Sequence, residues 1–237
     1  MTNVQTQTDQ WYKDYYSKKG KNRNDILTNA GVLFQQLAFR KSIVKALNVL
    51  SVKRDWKILD VGAGSGGSLS QFLEFGFSPE CLWGIDIIPE RIQQGKKQFP
   101  NLNLISGDAS QVNFESDFFD MVIESTMFMQ LTDRSLSKKI AEQMIRVVKP
   151  GGYIMLVDWR YSFGNPIYKA LSRKRIVDLF KVGVTTRIYS QKHGALIPPL
   201  GRLMSKYFYP FYFLVQFLFP FLVGQMTTVL QKSKNTD

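Results

Sequence analysis

The chain has 237 residues, 44% of them hydrophobic, which is enough for one α/β domain with a small addition. Its single cysteine, Cys81, excludes an intramolecular disulfide and a cysteine-rich metal site, so a reducing cytoplasmic compartment is expected. The net charge of +12 is concentrated in residues 159–237, which hold 12 basic side chains against Asp178 and Asp237. Charge of this sign favours an anionic partner.

The first 50 residues predict a helical cap in front of the main domain. Residues 11–24 are aromatic and basic and favour a helix followed by a loop. Residues 32–50 predict an amphipathic helix, because apolar side chains recur there at helical spacing: Leu33, Leu37, Ile43, Val44 and Leu47.

Residues 51–237 alternate between short apolar runs and helical segments. The pattern predicts strands at 57–61, 81–87, 102–106, 119–125, 153–159, 182–190 and 226–231. Helices are expected at 68–75, 89–99, 135–148 and 165–180, the last opening at Asn165-Pro166. We therefore predict an α/β fold with a doubly wound, mainly parallel, seven-stranded sheet, N-terminal helices and a hydrophobic C-terminal insertion near residues 191–225.

A glycine-rich loop follows the first expected strand and opens a helix. Its sequence, Asp60-Val61-Gly62-Ala63-Gly64-Ser65-Gly66-Gly67, lets the backbone turn sharply and approach a ligand closely. Three of its glycines also match the spacing of a dinucleotide-binding loop. The loop indicates a nucleoside cofactor without choosing among such cofactors.

Later residues narrow the choice. Asp86 ends the second expected strand, where a carboxylate can accept both hydroxyls of a ribose. Gly107-Asp108-Ala109 ends the third, where a carboxylate can accept an adenine amino group. A turn with the sequence KPGGY, residues 149–153, precedes the fifth strand. The last two features, and the helices before the first strand, disfavour an NAD-dependent oxidoreductase.

In order and spacing, these motifs resemble those of the class I, Rossmann-like S-adenosylmethionine-dependent methyltransferases over roughly residues 50–160. The segments ILDVGAGSG and RVVKPGGYIMLVD carry the resemblance together with Asp86 and Gly107-Asp108. It implies S-adenosylmethionine as the cofactor, with Asp60 at its amino group, Asp86 at its ribose and Glu124 beside the sulfonium. The implied cofactor-binding residues are Asp60, Gly62, Gly64, Gly66, Asp86, Ile87, Asp108, Ala109 and Glu124.

Methyl transfer requires alignment of the acceptor, and a base helps when the acceptor is a hydroxyl or an ammonium. Candidate catalytic residues are His193, which is the single histidine, Glu124, and Tyr16 or its neighbour Tyr15 in an N-terminal helix. Asp158 is a rival base and a candidate for contacting the substrate. Each of these residues also has a purely structural explanation. The sequence contains no histidine and carboxylate spacing typical of a metal site.

The basic C-terminal third is expected to hold the acceptor. Arg173 and Arg187 are candidates for binding an anionic or phosphorylated group, since guanidinium offers paired donors. Residues 207–223 are crowded with Phe, Tyr and Leu and lack charge. They predict a cover over the acceptor pocket, a patch that docks on a bilayer, or ordinary core packing.

The segments DWRY and GALIPPLGR resemble parts of methyltransferases of bacterial surface polysaccharides. We therefore predict an enzyme that methylates a small or lipid-linked acceptor, a sugar hydroxyl or amine. It would work in the cytoplasm, with peripheral attachment to the inner membrane face left open. Three alternatives remain: a quinone- or isoprenoid-type C-methyltransferase, an RNA methyltransferase, and a non-catalytic nucleoside-binding module. Aromatic side chains arranged for base stacking are not evident, which disfavours nucleic acid as a partner. The pattern leaves the oligomeric state open.

Overall fold

The computed structural model describes residues 21–162 and 168–234. Tyr15, Tyr16 and most of the segment expected to be helical at 11–24 lie outside the described residues. The proposed helix start at Asn165-Pro166 also lies outside them. Contacts divide the chain into two compact units. One comprises the residues up to Val44 together with His193–Gln225, and the other comprises Lys45–Lys192 and the residues from Met226.

The larger unit is built on a seven-stranded sheet with the order β3-β2-β1-β4-β5-β7-β6. The strands are β1 Ile58–Val61, β2 Leu82–Asp86, β3 Asn103–Ser106, β4 Phe119–Ser125, β5 Val148–Trp159, β6 Thr186–His193 and β7 Gln225–Lys232. The first five pair in parallel. Cross-strand hydrogen bonds join residue 233 to 185 and residue 191 to 228, so β6 and β7 run antiparallel. The sheet confirms the predicted doubly wound, mainly parallel α/β fold.

The helix α1 Ala30–Leu47 precedes the sheet. Four helices follow its strands, as the alternation predicts: α2 Gly67–Glu74 after β1, α3 Pro89–Gln98 after β2, α4 Arg134–Val147 after β4 and α5 Arg173–Leu179 after β5. The start of α4 is set by Asp133, whose Oδ1 accepts the Ser135 N–H at 2.7 Å. The helix buries an apolar face against the sheet that includes Ile140 and Met144, both within the main hydrophobic core.

Strand β1 shows why the central strands are read easily from sequence. All four of its residues are buried, as expected of a parallel strand with helices on both faces. The turn before the fifth strand was predicted as a separate element, yet the structure includes it within β5. Phe119 pairs with Val148 and Met121 with Tyr153, so the intervening glycine turn forms an irregularity inside the strand.

The helix expected at 165–180 was wrong over residues 168–172, which are not helical. Their backbone hydrogen bonds go elsewhere: the Lys169 N–H donates to Met129 O, and the Leu171 N–H donates to Trp159 O. The helix α5 begins only after Ser172, whose hydroxyl accepts the Arg175 N–H at 3.3 Å. Strand β6 also begins later than predicted, because residues 181–185 form a turn around Gly183.

The smaller unit contains most of α1 and two further helices, α6 Pro198–Tyr207 and α7 Tyr212–Leu218, which the sequence pattern did not predict. The Ser205 hydroxyl ties α6 to α1, donating to Ala30 O at 2.7 Å and accepting the Phe34 N–H at 3.1 Å. Within the described ranges, no helix combines the length and the hydropathy that crossing a membrane requires.

Candidate active site

The site lies where the strand order reverses. Strands β2 and β4 flank β1 on opposite sides, and the helices that follow β1 and β4 lead the chain in opposite directions. In open α/β sheets this switch point, at the carboxyl ends of the strands, is where ligands bind. Val61 at the end of β1 pairs with Ile85 and with Glu124, so the loops after these three strands meet there.

The glycine loop turns directly above the end of β2. The Gly62 and Ala63 N–H groups both donate to Ile85 O, at 2.9 and 3.0 Å. Gly62 and Gly64 have φ values of +77° and +57°, which residues with a side chain rarely adopt. A Cβ at Gly62 would lie 3.0 Å from the Met127 side chain. The loop therefore needs glycine both for its backbone conformation and for close approach.

Asp86 fastens this loop to the end of β2. Its Oδ2 accepts the Gly64 N–H at 2.8 Å and its Oδ1 accepts the Ile88 N–H at 2.9 Å. The carboxylate is buried, and each oxygen retains a lone pair for a further donor. The arrangement fits the predicted role of accepting ribose hydroxyls. Ile87, the residue between Asp86 and Ile88, is half-buried.

The turn after β3 lies beside Asp86, since the Gly107 N–H donates to Asp86 O at 2.9 Å. Asp108 caps the short 3-10 turn Ala109–Gln111 by accepting the Ser110 N–H at 2.8 Å. Asp108 and Ala109 are both half-buried. The structure therefore brings together Asp86, Asp108 and Ala109, which the sequence assigned to the nucleoside.

Asp60 is the least satisfied polar group of the site. Its carboxyl is fully buried, and neither oxygen has a hydrogen-bond partner. Burial, and secondarily the charge of Asp86, raise the pKa of Asp60 to about 8. A buried carboxyl without donors is costly unless a ligand supplies them. It fits the amino group of S-adenosylmethionine, the partner expected for Asp60.

Glu124 lies at the end of β4 and is also fully buried. Its Oε2 accepts the Met127 N–H at 3.0 Å, while Oε1 has no partner. Burial, with a smaller contribution from the charge of Asp158, raises the pKa of Glu124 well above its usual value. One oxygen thus orders the loop after β4, and the other is left for a ligand.

Asp158 occupies the matching position on β5. Its Oδ2 accepts the Met129 N–H at 2.9 Å and its Oδ1 accepts the Trp159 N–H at 2.6 Å. Burial raises its pKa to about 7, although these hydrogen bonds and the charge of Arg175 act in the opposite direction. Asp60, Glu124 and Asp158 thus form a row of buried carboxyls at the ends of β1, β4 and β5.

Arg175 belongs to the basic cluster 173–175, but the sequence did not reveal its place in the site. From α5 its guanidinium donates to Phe128 O at 2.9 Å, Leu131 O at 2.7 Å and Lys169 O at 2.6 Å. It also donates to the Ser137 hydroxyl at 3.0 Å. Burial lowers the pKa of Arg175, and the charges of Asp158 and Glu124 oppose that shift. Arg175 therefore holds the loop after β4 in place through its hydrogen bonds to Phe128 O and Leu131 O.

Three of the other predicted residues lie on α5 and β6. Arg173 is exposed on α5, and Arg187 is exposed on β6, where its guanidinium donates to Gln231 Oε1 at 2.6 and 3.0 Å. His193 is the exposed last residue of β6 and belongs to the smaller unit. The roles of these three residues, and that of Tyr16, stay predictions.

Comparison with known proteins agrees with this geometry. A family model described as a methyltransferase domain matches residues 58–152, which include the glycine loop, Asp86, Asp108 and Glu124. The demethylmenaquinone methyltransferase of Renibacterium salmoninarum is 30% identical over 143 residues, which cover 60% of this chain and 55% of that protein. The ubiquinone/menaquinone biosynthesis C-methyltransferase of Pectobacterium atrosepticum is 28% identical over 144 residues, covering 58% and 53%.

The chain thus matches a little over half the length of these curated relatives. Among solved structures, an S-adenosylmethionine-dependent methyltransferase from Methanosarcina mazei superposes with a TM-score of 0.60 at 19% identity, covering 80% of this chain and 98% of that one. This last likeness concerns the fold. Residues 58–152 thus match a methyltransferase domain, and the sheet order and the glycine loop are similar to those of the Rossmann-like, class I fold.

Proposed function

We propose that the chain methylates a ring carbon of a quinone-type, prenylated acceptor. The observation that carries this proposal is the match, over 60% and 58% of this chain, to a curated demethylmenaquinone methyltransferase and a curated ubiquinone/menaquinone biosynthesis C-methyltransferase. Their names favour the quinone alternative over the sugar hydroxyl or amine expected from the sequence.

The residues present fit S-adenosylmethionine. Asp86 would accept the ribose hydroxyls, Asp108 the adenine amino group, and Asp60 the ammonium of the methionine portion. When bound, the cofactor supplies an activated methyl group on a sulfonium. Glu124 supports this assignment, because its unpartnered Oε1 offers a hydrogen-bond acceptor at the edge of the same cluster.

Carbon methylation of a hydroquinone ring needs two proton transfers. Loss of a ring hydroxyl proton makes the neighbouring carbon nucleophilic, and the hydrogen on that carbon leaves after the methyl group has been added. A general base works best when its pKa lies near the working pH. Asp158, with its pKa raised to about 7 by burial, meets this condition, and Glu124 is raised in the same direction. These two carboxyls therefore replace His193 as our first candidates for the base.

The acceptor is expected to be lipid-like, since a prenyl tail partitions into a bilayer. This agrees with the lipid-linked acceptor expected from the sequence, which left peripheral attachment to the inner membrane face open. An anionic group on the acceptor, with Arg173 and Arg187 as its partners, belongs to the sugar alternative and is not required by a quinone.

The test is a methylation assay with a short-chain demethylmenaquinol under reducing conditions. Cofactor binding is first measured by calorimetry with S-adenosylmethionine and NAD, and Asp86→Ala is the binding-deficient control. We expect a product carrying its new methyl group on the ring carbon, identified by mass spectrometry and NMR. Cofactor binding without transfer to this acceptor would overturn the quinone assignment.

The same assay separates the alternatives when acceptors are exchanged. Methylation of a nucleotide-linked or lipid-linked sugar, lost on charge reversal at Arg173 and Arg187, would restore the sugar interpretation. Transfer to RNA with strongly salt-dependent binding would favour an RNA methyltransferase. Cofactor binding with no transfer to any of the three acceptor classes would favour a non-catalytic binding module.

A further inference from the structure

A second surface of the protein is unusual for a molecule surrounded by water. Residues 207–221, here called the aromatic segment, comprise the end of α6, the helix α7 and two short 3-10 turns. Nine of its large apolar or aromatic side chains expose between 43% and 80% of their surface: Tyr207, Phe208, Tyr209, Phe211, Leu214, Phe217, Leu218, Phe219 and Phe221. Contiguous exposure on this scale marks an interaction site.

The helix α7 has its polar side inward. Tyr212 is fully buried, and its hydroxyl accepts the Leu196 N–H at 3.1 Å. Gln216, one turn later, is also buried and donates to Gly194 O. Phe217 and Leu218 instead expose 80% and 55% of their surface. An ordinary surface helix has the opposite arrangement, with apolar residues inward and polar residues in water.

These inward hydrogen bonds show that the apolar side chains are presented by an ordered element. Because Tyr212 and Gln216 satisfy backbone groups of residues 194 and 196, α7 could not rotate to bury Phe217 without leaving those groups unpaired. The exposed face is therefore held in place by hydrogen bonds on the inner side of the helix.

The charge of the residues near the aromatic segment in the sequence favours an anionic partner for it. Residues 179–236 contain no acidic side chain. In its described part the smaller unit carries six basic residues against Asp25 alone. Lys206 Nζ lies 4.9 Å from the Tyr207 ring centroid, and Lys41 Nζ lies 3.9 Å from that of Phe213. Aromatic rings beside lysines are typical of segments at the headgroup level of an anionic membrane.

We propose that the aromatic segment docks on the surface of an anionic lipid bilayer, with Phe217 and Phe221 entering the headgroup region. The segment lies in the plane of the interface, since α7 has seven residues and is too short to span a bilayer. A second copy of the chain is disfavoured as the occupant, because two surfaces of the same positive sign repel each other. The inference concerns attachment to the membrane and does not depend on which acceptor is methylated.

The experiment is vesicle co-sedimentation of the full chain, without cofactor, using phosphatidylcholine vesicles with and without phosphatidylglycerol. We expect binding to the anionic vesicles and weaker binding to the neutral ones. The double substitution Phe217→Ser and Phe221→Ser should reduce the binding about tenfold or more, because it removes the two rings that enter the bilayer. The matched control is Val184→Ser, which changes an 82% exposed apolar residue of the larger unit.

A second readout reports the depth of insertion. Trp replaces Phe217 in one variant and Val184 in the other, and the difference from the wild-type fluorescence is followed as vesicles are added. We expect a blue shift and quenching by brominated lipid for Phe217→Trp and no change for Val184→Trp. Equal binding of the wild type to both vesicle types, or retained binding of the double variant, overturns the proposal. The proposal is also overturned if the wild type is a dimer in the absence of lipid and the double variant is a monomer.

Discussion

The Met127 side chain lies directly against the backbone of Gly62. A Cβ at Gly62 would fall 3.0 Å from both Cγ and Sδ of Met127. Met127 is in turn placed by Glu124, which accepts its N–H at 3.0 Å. The loop after β4 and the glycine loop after β1 are therefore packed together.

Gly62→Ala is expected to lower both stability and cofactor affinity. The substitution adds backbone strain at φ +77° and forces Met127 to move, at a combined cost of about 1–3 kcal/mol. Thermal unfolding and calorimetric titration of S-adenosylmethionine measure the two effects. Gly67→Ala is the matched control, because a Cβ there meets nothing within 4 Å and Gly67 begins α2. Equal behaviour of the two variants would contradict the prediction.

The pKa of Asp60 predicts proton release when the cofactor binds. In the native protein this carboxyl ionises near pH 8, so it is protonated at pH 7 before a cationic group arrives. An ammonium beside it favours the ionised form, so the proton leaves on binding. Calorimetry at pH 7 in buffers of different ionisation enthalpy should show a release of up to one proton. Asp60→Asn should remove the buffer dependence.

The same residue predicts a dependence of stability on pH. The unfolded carboxyl ionises near 3.8 and the native one near 8, so the native state holds the extra proton between these values. The free energy of unfolding therefore falls as pH rises through this range, by up to about 1.4 kcal/mol per pH unit from this group. Asp60→Asn should flatten the slope in urea titrations at pH 5 to 8. An unchanged slope would mean that the native carboxyl is already ionised.

Much of the nucleotide side of the site could be predicted because its signals are local. The glycine loop, Asp86 and Gly107-Asp108 each stand at the end of an apolar strand, and parallel strands bring their carboxyl ends together. The structure has these residues at the ends of β1, β2 and β3, and their binding roles stay predictions. The bounds of β5, α5 and β6 were less predictable, since they depend on hydrogen bonds to distant residues such as Met129 and Trp159.

The burial of Arg175 and the outward direction of the apolar side of α7 could not be predicted from the sequence, because packing decides both. Arg173 and Arg175 lie two positions apart on one short helix, so they point in different directions, and only packing decides which is buried. Likewise, six of the seven residues of α7 are apolar or aromatic, so the sequence does not say which side of the helix points inward. The partners of Tyr212 and Gln216 decide that the polar side is buried.

Asp158 is expected to control the pH dependence of methyl transfer. As a base it must be ionised, so kcat/KM for the acceptor should rise with pH up to about 7 and then level off. Asp158→Asn should abolish this rise and lower the plateau. Asp178→Asn, at an exposed carboxylate on α5, is the matched control and should keep the wild-type profile. A rise that persists in Asp158→Asn would move the role of base to Glu124.

Lys232 is expected to hold the last strand in place. Its Nζ donates to Asp117 Oδ1 at 2.7 Å and to Ile145 O and Val148 O, both at 2.8 Å, while its side chain is 8% exposed. Lys232→Met would leave these acceptors unpaired, at a cost of about 2–4 kcal/mol. Urea unfolding measures the loss. Lys234→Met, two positions later and exposed, should change stability little.

Arg175 should act on turnover more than on cofactor binding. It touches the loop after β4 at Phe128 and Leu131 but makes none of the contacts that hold the glycine loop to Asp86. Arg175→Met should therefore lower kcat about 10- to 100-fold, in line with loss of alignment, while the cofactor Kd changes by only a few-fold. Arg175→Lys should restore part of the rate, because an ammonium cannot reproduce the forked set of donors.

Lys174→Met tests whether that loss is specific to the buried guanidinium, since Lys174 is exposed on the same helix and should leave both parameters unchanged. A structural defect alone would lower the fraction of folded protein and reduce cofactor binding sites in proportion to activity. Full cofactor stoichiometry with reduced kcat in Arg175→Met would instead show that the loop after β4 must be held in one position for transfer. Equal losses in stoichiometry and rate would show that Arg175 contributes only to folding stability.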